Sequence, residues 1–214
     1  YFPADRGENK LTFAIYAAVS LMELLKRQRD AFGISLFHDT LKLHTVAKSS
    51  PLHQRYVYAE LEKFFGEYSP TKNSDTFISQ ALNEVAQRIP KRGMVMVFTD
   101  LWSSSEDDVD FMNALSHLKH QRHEVVIFHL YSREIEHDFS LENRPYILVD
   151  METGEEMRML PNEFKRQYVE RYEKGLSALK LKCGDLAVDF VPLAIEDGYH
   201  DVLTRYLLKR QSLL

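Results

Sequence analysis

Oxygen-bearing side chains stand where apolar runs stop in this chain of 214 residues. Asp100 follows Met94, Val95, Met96, Val97, Phe98 and Thr99, and His38 and Asp39 follow an apolar stretch that ends at Phe37. Asp75 and Thr76 open a segment in which Phe77, Ala81, Leu82, Val85 and Ile89 recur at helical spacing. Carboxylate and hydroxyl are hard oxygen donors, of the kind that magnesium, manganese or calcium accepts. The same residues have plainer readings, Asp100 as the cap of a strand-end loop and Thr76 as a helix N-cap. Trp102, two residues past Asp100, reads either as an anchor for a partner or as a lid over the core.

Other candidate chemistry is thinner. His117, His120 and His123 recur every three residues, but the last falls past the predicted helix end, where a cation is favourable without any metal. His129 lies inside an apolar run and reads as a hydrogen-bonded core residue. His137 and Asp138 form a possible base with its orienting group, yet no serine or cysteine stands in a nucleophile elbow. Neither the Gly-x-Gly-x-x-Gly pattern nor a P-loop occurs. Cys183 is the sole cysteine, which excludes an intramolecular disulfide and a thiolate cluster and fits a reducing, cytoplasmic setting. A formal charge of -5 gives no electrostatic pull toward phosphate backbones, so nucleic acid is not expected. No apolar run approaches the roughly 20 residues that a membrane-spanning helix needs.

The elements that must position these groups follow from periodicity. With 44% hydrophobic residues the chain can bury one substantial core, and a single domain over 1–214 is expected. Leu11, Ala14, Ile15, Ala18, Leu21, Met22 and Leu25 make one stripe on a first helix. Short strands are predicted at 31–37 and 41–46, and a helix at 56–65, stopped by Gly66 and Pro70. A helix from Thr76 to Ile89 comes next. Residues 93–100 and 125–130 are apolar without alternation, as in parallel strands covered on both faces, and a helix ending near His120 joins them. Residues 146–150 and 155–160, with Gly154 between them, predict an inserted β-hairpin near 145–160. A long helix marked by Phe164, Tyr168, Tyr172, Leu176 and Leu179, a strand at 186–191 and a closing helix through Val202 and Tyr206 complete the chain. Strands alternating with helices predict an α/β fold, a mostly parallel sheet flanked by helices. In such sheets ligands collect at the carboxyl ends of the strands.

Several stretches resemble a known family. Asp75-Thr76-Phe77-Ile78-Ser79-Gln80-Ala81-Leu82 is similar to the threonine loop and helix of von Willebrand factor A domains. The run from Val95 to Asp100 is similar to their later, aspartate-ending strand. Tyr131-Ser132-Arg133-Glu134, Val149-Asp150-Met151-Glu152-Thr153-Gly154-Glu155, and the closing Leu203-x-x-Tyr206-Leu207-x-x-Arg210 follow in the order of bacterial domain-of-unknown-function family fifty-eight, a von Willebrand A-like branch.

The resemblance implies a three-layer, Rossmann-like fold and a metal-ion-dependent adhesion site. Its threonine would be Thr76 and its aspartate Asp100, with Asp75, Trp102 and Asp39 as possible partner contacts and magnesium or manganese as the ion. The first Asp-x-Ser-x-Ser motif of such sites does not occur here, and the resemblance implies that it lies on a central strand ahead of the first helix. It also implies a protein-binding module rather than an enzyme, with a MoxR-type AAA+ ATPase as partner. Two other functions compete: a magnesium-dependent phosphoester hydrolase using Asp39 and Asp100, and a structural interaction domain whose metal site has decayed.

Overall fold

The computed structural model describes residues 9–37, 40–67, 78–90, 92–100, 107–149 and 156–211. Helix α1 (Lys10–Gln28) starts where the Asn9 side chain accepts from the Thr12 amide at 2.9 Å and the Thr12 hydroxyl at 3.1 Å. One orphan donor of the first turn is thereby satisfied. Strands β1 (Ser35–Phe37) and β2 (Leu41–His44) pair antiparallel. Helix α2 (Pro51–Glu67) begins ahead of the predicted residue 56. Pro51 takes a first-turn position that needs no N–H, and the Ser50 hydroxyl accepts from the His53 amide at 3.3 Å.

Helix α3 (Ile78–Arg88), β3 (Met94–Thr99), α4 (Asp107–His120) and β4 (Glu124–Tyr131) follow. A π-helical turn (Arg133–His137) leaves β4. The hairpin β5 (Tyr146–Val149) and β6 (Glu156–Met159) forms where the sequence predicts it. The chain closes with α5 (Pro161–Asp185), β7 (Asp189–Ala194) and α6 (Tyr199–Gln211).

Strands β3, β4 and β7 form a parallel sheet with β4 in the centre. Alternate residues of β4 face opposite ways, and both faces are buried. Val126, Phe128 and Leu130 meet Phe13, Ala17 and Leu21 of α1 and Val202, Leu203 and Tyr206 of α6. Val125 and Ile127 meet Leu82 of α3, Phe111 and Leu115 of α4, and Leu179 and Cys183 of α5. That double coverage is why the sequence of β4 shows no polar alternation. The result is a three-layer α/β, Rossmann-like fold with helices on both faces of the sheet.

The β1–β2 pair lies in the same middle layer. Leu36 packs with Met22, Val57 and Leu61 of α1 and α2, whereas Phe37 joins the core that holds Val97 and the inner face of α3. Thus β1 and β3 share α1 on one side and α3 on the other, yet no ladder joins them among the described residues.

Candidate functional site

Parallel strands end at one rim, and β3, β4 and β7 deliver Asp100, Ser132 and Glu196 to it. The Asn9 cap brings the first residue of α1, Lys10, to the same rim. The Lys10 side chain is 8% exposed, and its ammonium lies 2.5 Å from Glu136 Oε1 and 3.5 Å from Asp100 Oδ2. Asp100 is 57% exposed. The second oxygen of Glu136 accepts from the Ser132 amide at 2.6 Å. Glu136 therefore joins α1 to the turn that follows β4.

That turn is π-helical. His137 N–H reaches Ser132 O at 3.2 Å and Asp138 N–H reaches Arg133 O at 2.7 Å. Such turns are rare and concentrate at functional positions. Glu196, just past β7, clamps the turn by accepting from the Ser132 hydroxyl at 2.7 Å and the Arg133 amide at 3.0 Å. Arg133 then pairs with Asp197 at 2.7 Å, and Arg205 of α6 approaches the same carboxylate at 3.6 Å. Beneath the turn, Tyr131, His137 and Tyr172 are in ring contact, with Tyr168 stacked on Tyr172. Burial, with the Glu136 charge adding to it, pushes the Tyr168 phenol up to about 12.

Burial pushes the Glu196 carboxyl up, but hydrogen bonds from the Arg133 amide and the Ser132 hydroxyl outweigh it and hold the group below its ordinary 4.5. A carboxyl depressed by folding stabilises the native state above its unfolded value, and that stability fades as pH falls through the folded value. Glu196→Gln is expected to lose about 1 kcal/mol at pH 7, a small figure because the group is exposed. As pH falls through the folded value of Glu196, below the ordinary 4.5, the variant and the parent should converge in stability by urea denaturation. A gap that stays constant with pH would show that the charge of Glu196 is not what clamps the turn.

Of the residues singled out by sequence, Asp100 stands at the rim. Thr76, Asp75, Trp102, Asp39 and His38 lie outside the described residues. His137 and Asp138 do meet, at 2.6 Å, and His129 is buried in the sheet beside Phe190. His117 turns to Asn83, with Nδ1 3.1 Å from its amide oxygen. Lys10, Glu136 and Glu196 were not anticipated. One signal could have found Lys10: a cation at the first helical position opposes the helix dipole and calls for a counter-charge.

The donors at the rim suit a hard divalent ion in kind but not in arrangement. Among the described residues no three His, Cys, Asp or Glu side chains converge as a metal cage. The two nearby carboxylates, Asp100 and Glu136, share an ammonium instead. The described residues therefore do not fit a bound divalent ion while Lys10 keeps this position.

No curated protein matches the chain. A solved structure, the conserved hypothetical protein BatB from Bacteroides thetaiotaomicron, is similar at 18% identity and a TM-score of 0.40, covering 81% of this chain and 88% of that one. The family model described as "Protein of unknown function DUF58" matches residues 4–178. The chain accordingly belongs to the DUF58 family of proteins of unknown function.

Proposed function

We propose that this chain is a von Willebrand A-like protein-binding module that docks a partner through the carboxyl rim of its sheet. The observation that carries the reading is Asp100, exposed at the end of β3 beside the Lys10 ammonium of α1, which Glu136 of the π-helical turn also holds. The described concavity near this rim is shallow and lined by Asp197, His200, Asp201, Thr204 and Arg205. Small-molecule sites are deeper and more apolar, so a charged, open surface of this kind suits a protein partner. The family resemblance supplies the partner class, a MoxR-type AAA+ ATPase. In the same reading the family resemblance makes Thr76 the second oxygen donor of the site.

Metal-dependent docking through Thr76 and Asp100 with magnesium or manganese is one form of this reading. A metal-independent form is favoured by one observation, the Lys10 ammonium beside Asp100.

Calorimetry with a MoxR-type ATPase from the same organism tests the proposal. Asp100→Ala is expected to weaken binding about tenfold or more. Glu62→Ala, on the outer face of α2, should leave it unchanged. Equal affinity in the parent and Asp100→Ala would reject the rim. Binding in EDTA as tight as in magnesium would select the metal-independent form.

A further inference from the structure

Lys10 is in an unusual place for a lysine. It occupies the first turn of α1, where the helix dipole repels cations, and its side chain is more than nine-tenths buried. Burial of an ammonium is tolerable only with counter-charges, and two are present: Glu136 at 2.5 Å and Asp100 at 3.5 Å. The two carboxylates belong to different strand ends, one after β3 and one after β4. The ammonium stands between them, 2.5 Å from one and 3.5 Å from the other, so a divalent ion drawn to the pair meets its charge.

We propose that Lys10 is a built-in competitor for cations at the rim: its ammonium holds the position between Asp100 and Glu136, and a divalent ion gains both carboxylates only when that charge is withdrawn. The inference rests on the rim being the working surface of the module, and it concerns what neutralises that surface. An ammonium carried by the chain is always present at high effective concentration. It also repels a second cation across a partly desolvated gap, where charges act more strongly than in water. A magnesium or manganese ion must in addition shed tightly held water to enter. Each factor favours the ammonium in the parent chain.

The probe is Mn2+ alone, followed by the electron paramagnetic resonance signal of the free ion and by calorimetry. The parent chain is expected to show no Asp100-dependent binding up to about 1 mM. Lys10→Gln should bind Mn2+ about tenfold more tightly or better, and adding Asp100→Asn should abolish the gain. Lys10→Arg, which keeps the charge, should behave as the parent does. A Lys10→Gln chain with an unchanged circular dichroism spectrum and no gain in affinity overturns the proposal. Should Lys10→Gln fail to fold, comparison of the parent with Asp100→Asn still decides: micromolar binding lost on substitution overturns the competitor role, and its absence supports it. Failure of the docking reading shows elsewhere, as ATPase affinity indifferent to Asp100→Ala.

Discussion

Phe128→Ala is expected to remove about 3–5 kcal/mol of stability, enough to unfold much of a marginally stable domain. Phe128 is fully buried at the centre of β4. Its ring stacks on Phe98 at 4.8 Å and takes the edge of Tyr206 at 5.2 Å. One side chain thus ties two neighbouring strands to α6. The void left by truncation cannot close easily, because β4 is hydrogen-bonded on both edges and cannot shift toward α6 without breaking a ladder. Phe128→Leu keeps most of the volume and should lose only about 1–1.5 kcal/mol. Leu52→Ala, on the exposed face of α2, should change stability by less than about 0.5 kcal/mol. Urea denaturation followed by circular dichroism checks the order. A loss below about 1 kcal/mol for Phe128→Ala would mean that α1 and α6 do not pack on this face as described.

The apolar runs of β3 and β4 were legible because burial on both faces removes polar alternation. The stripe from Leu11 to Leu25 located α1 but not its sheet-facing side: the buried residues that meet the sheet are Phe13, Ala17 and Leu21, and only Leu21 belongs to the stripe, while Ala18, Met22 and Leu25 pack toward α2. The last strand was less legible. Residues 186–191 were predicted, and β7 forms at Asp189–Ala194 because α5 continues to Asp185 and Leu186 serves as its C-cap. Pro192 argues against a strand in sequence. In the sheet it is tolerated, since β7 pairs with β4 on one side only among the described residues, and an edge position needs no donor facing outward. The π-helical turn had no sequence signature: Glu136 within it bonds the Ser132 amide, but the Glu196 carboxylate that clamps it comes from 64 positions away.

The candidate site divides in the same way. Asp100 could be placed at the rim because the end of a buried parallel strand is a local feature. Its neighbours could not, since Lys10 and Glu136 are 126 positions apart and meet only through the packing of α1 on the sheet. Glu196 likewise reaches Ser132 across 64 positions. Spacing reads what one element presents; it does not read which elements end at the same rim.

The pairing of Lys10 with Glu136 yields the second large effect. Lys10→Met is expected to lose about 2–4 kcal/mol, toward the lower part of the range for breaking a buried pair because Glu136 is 26% exposed and water can reach it. Glu136→Leu should lose a similar amount, since it strands the ammonium with Asp100 alone and also frees the Ser132 amide. The double variant Lys10→Met/Glu136→Leu replaces both charges with apolar groups and should recover about 2 kcal/mol relative to the sum of the single losses. Asp100→Ala should change stability by less than about 1 kcal/mol, because that partner is exposed and farther away. The contrast separates two partners of one ammonium: Glu136 anchors it, and Asp100 stays exposed to solvent. If the double variant instead loses the full sum, Lys10 and Glu136 act independently. A larger loss from Asp100→Ala than from Glu136→Leu would make Asp100 the anchor and remove it from the docking surface.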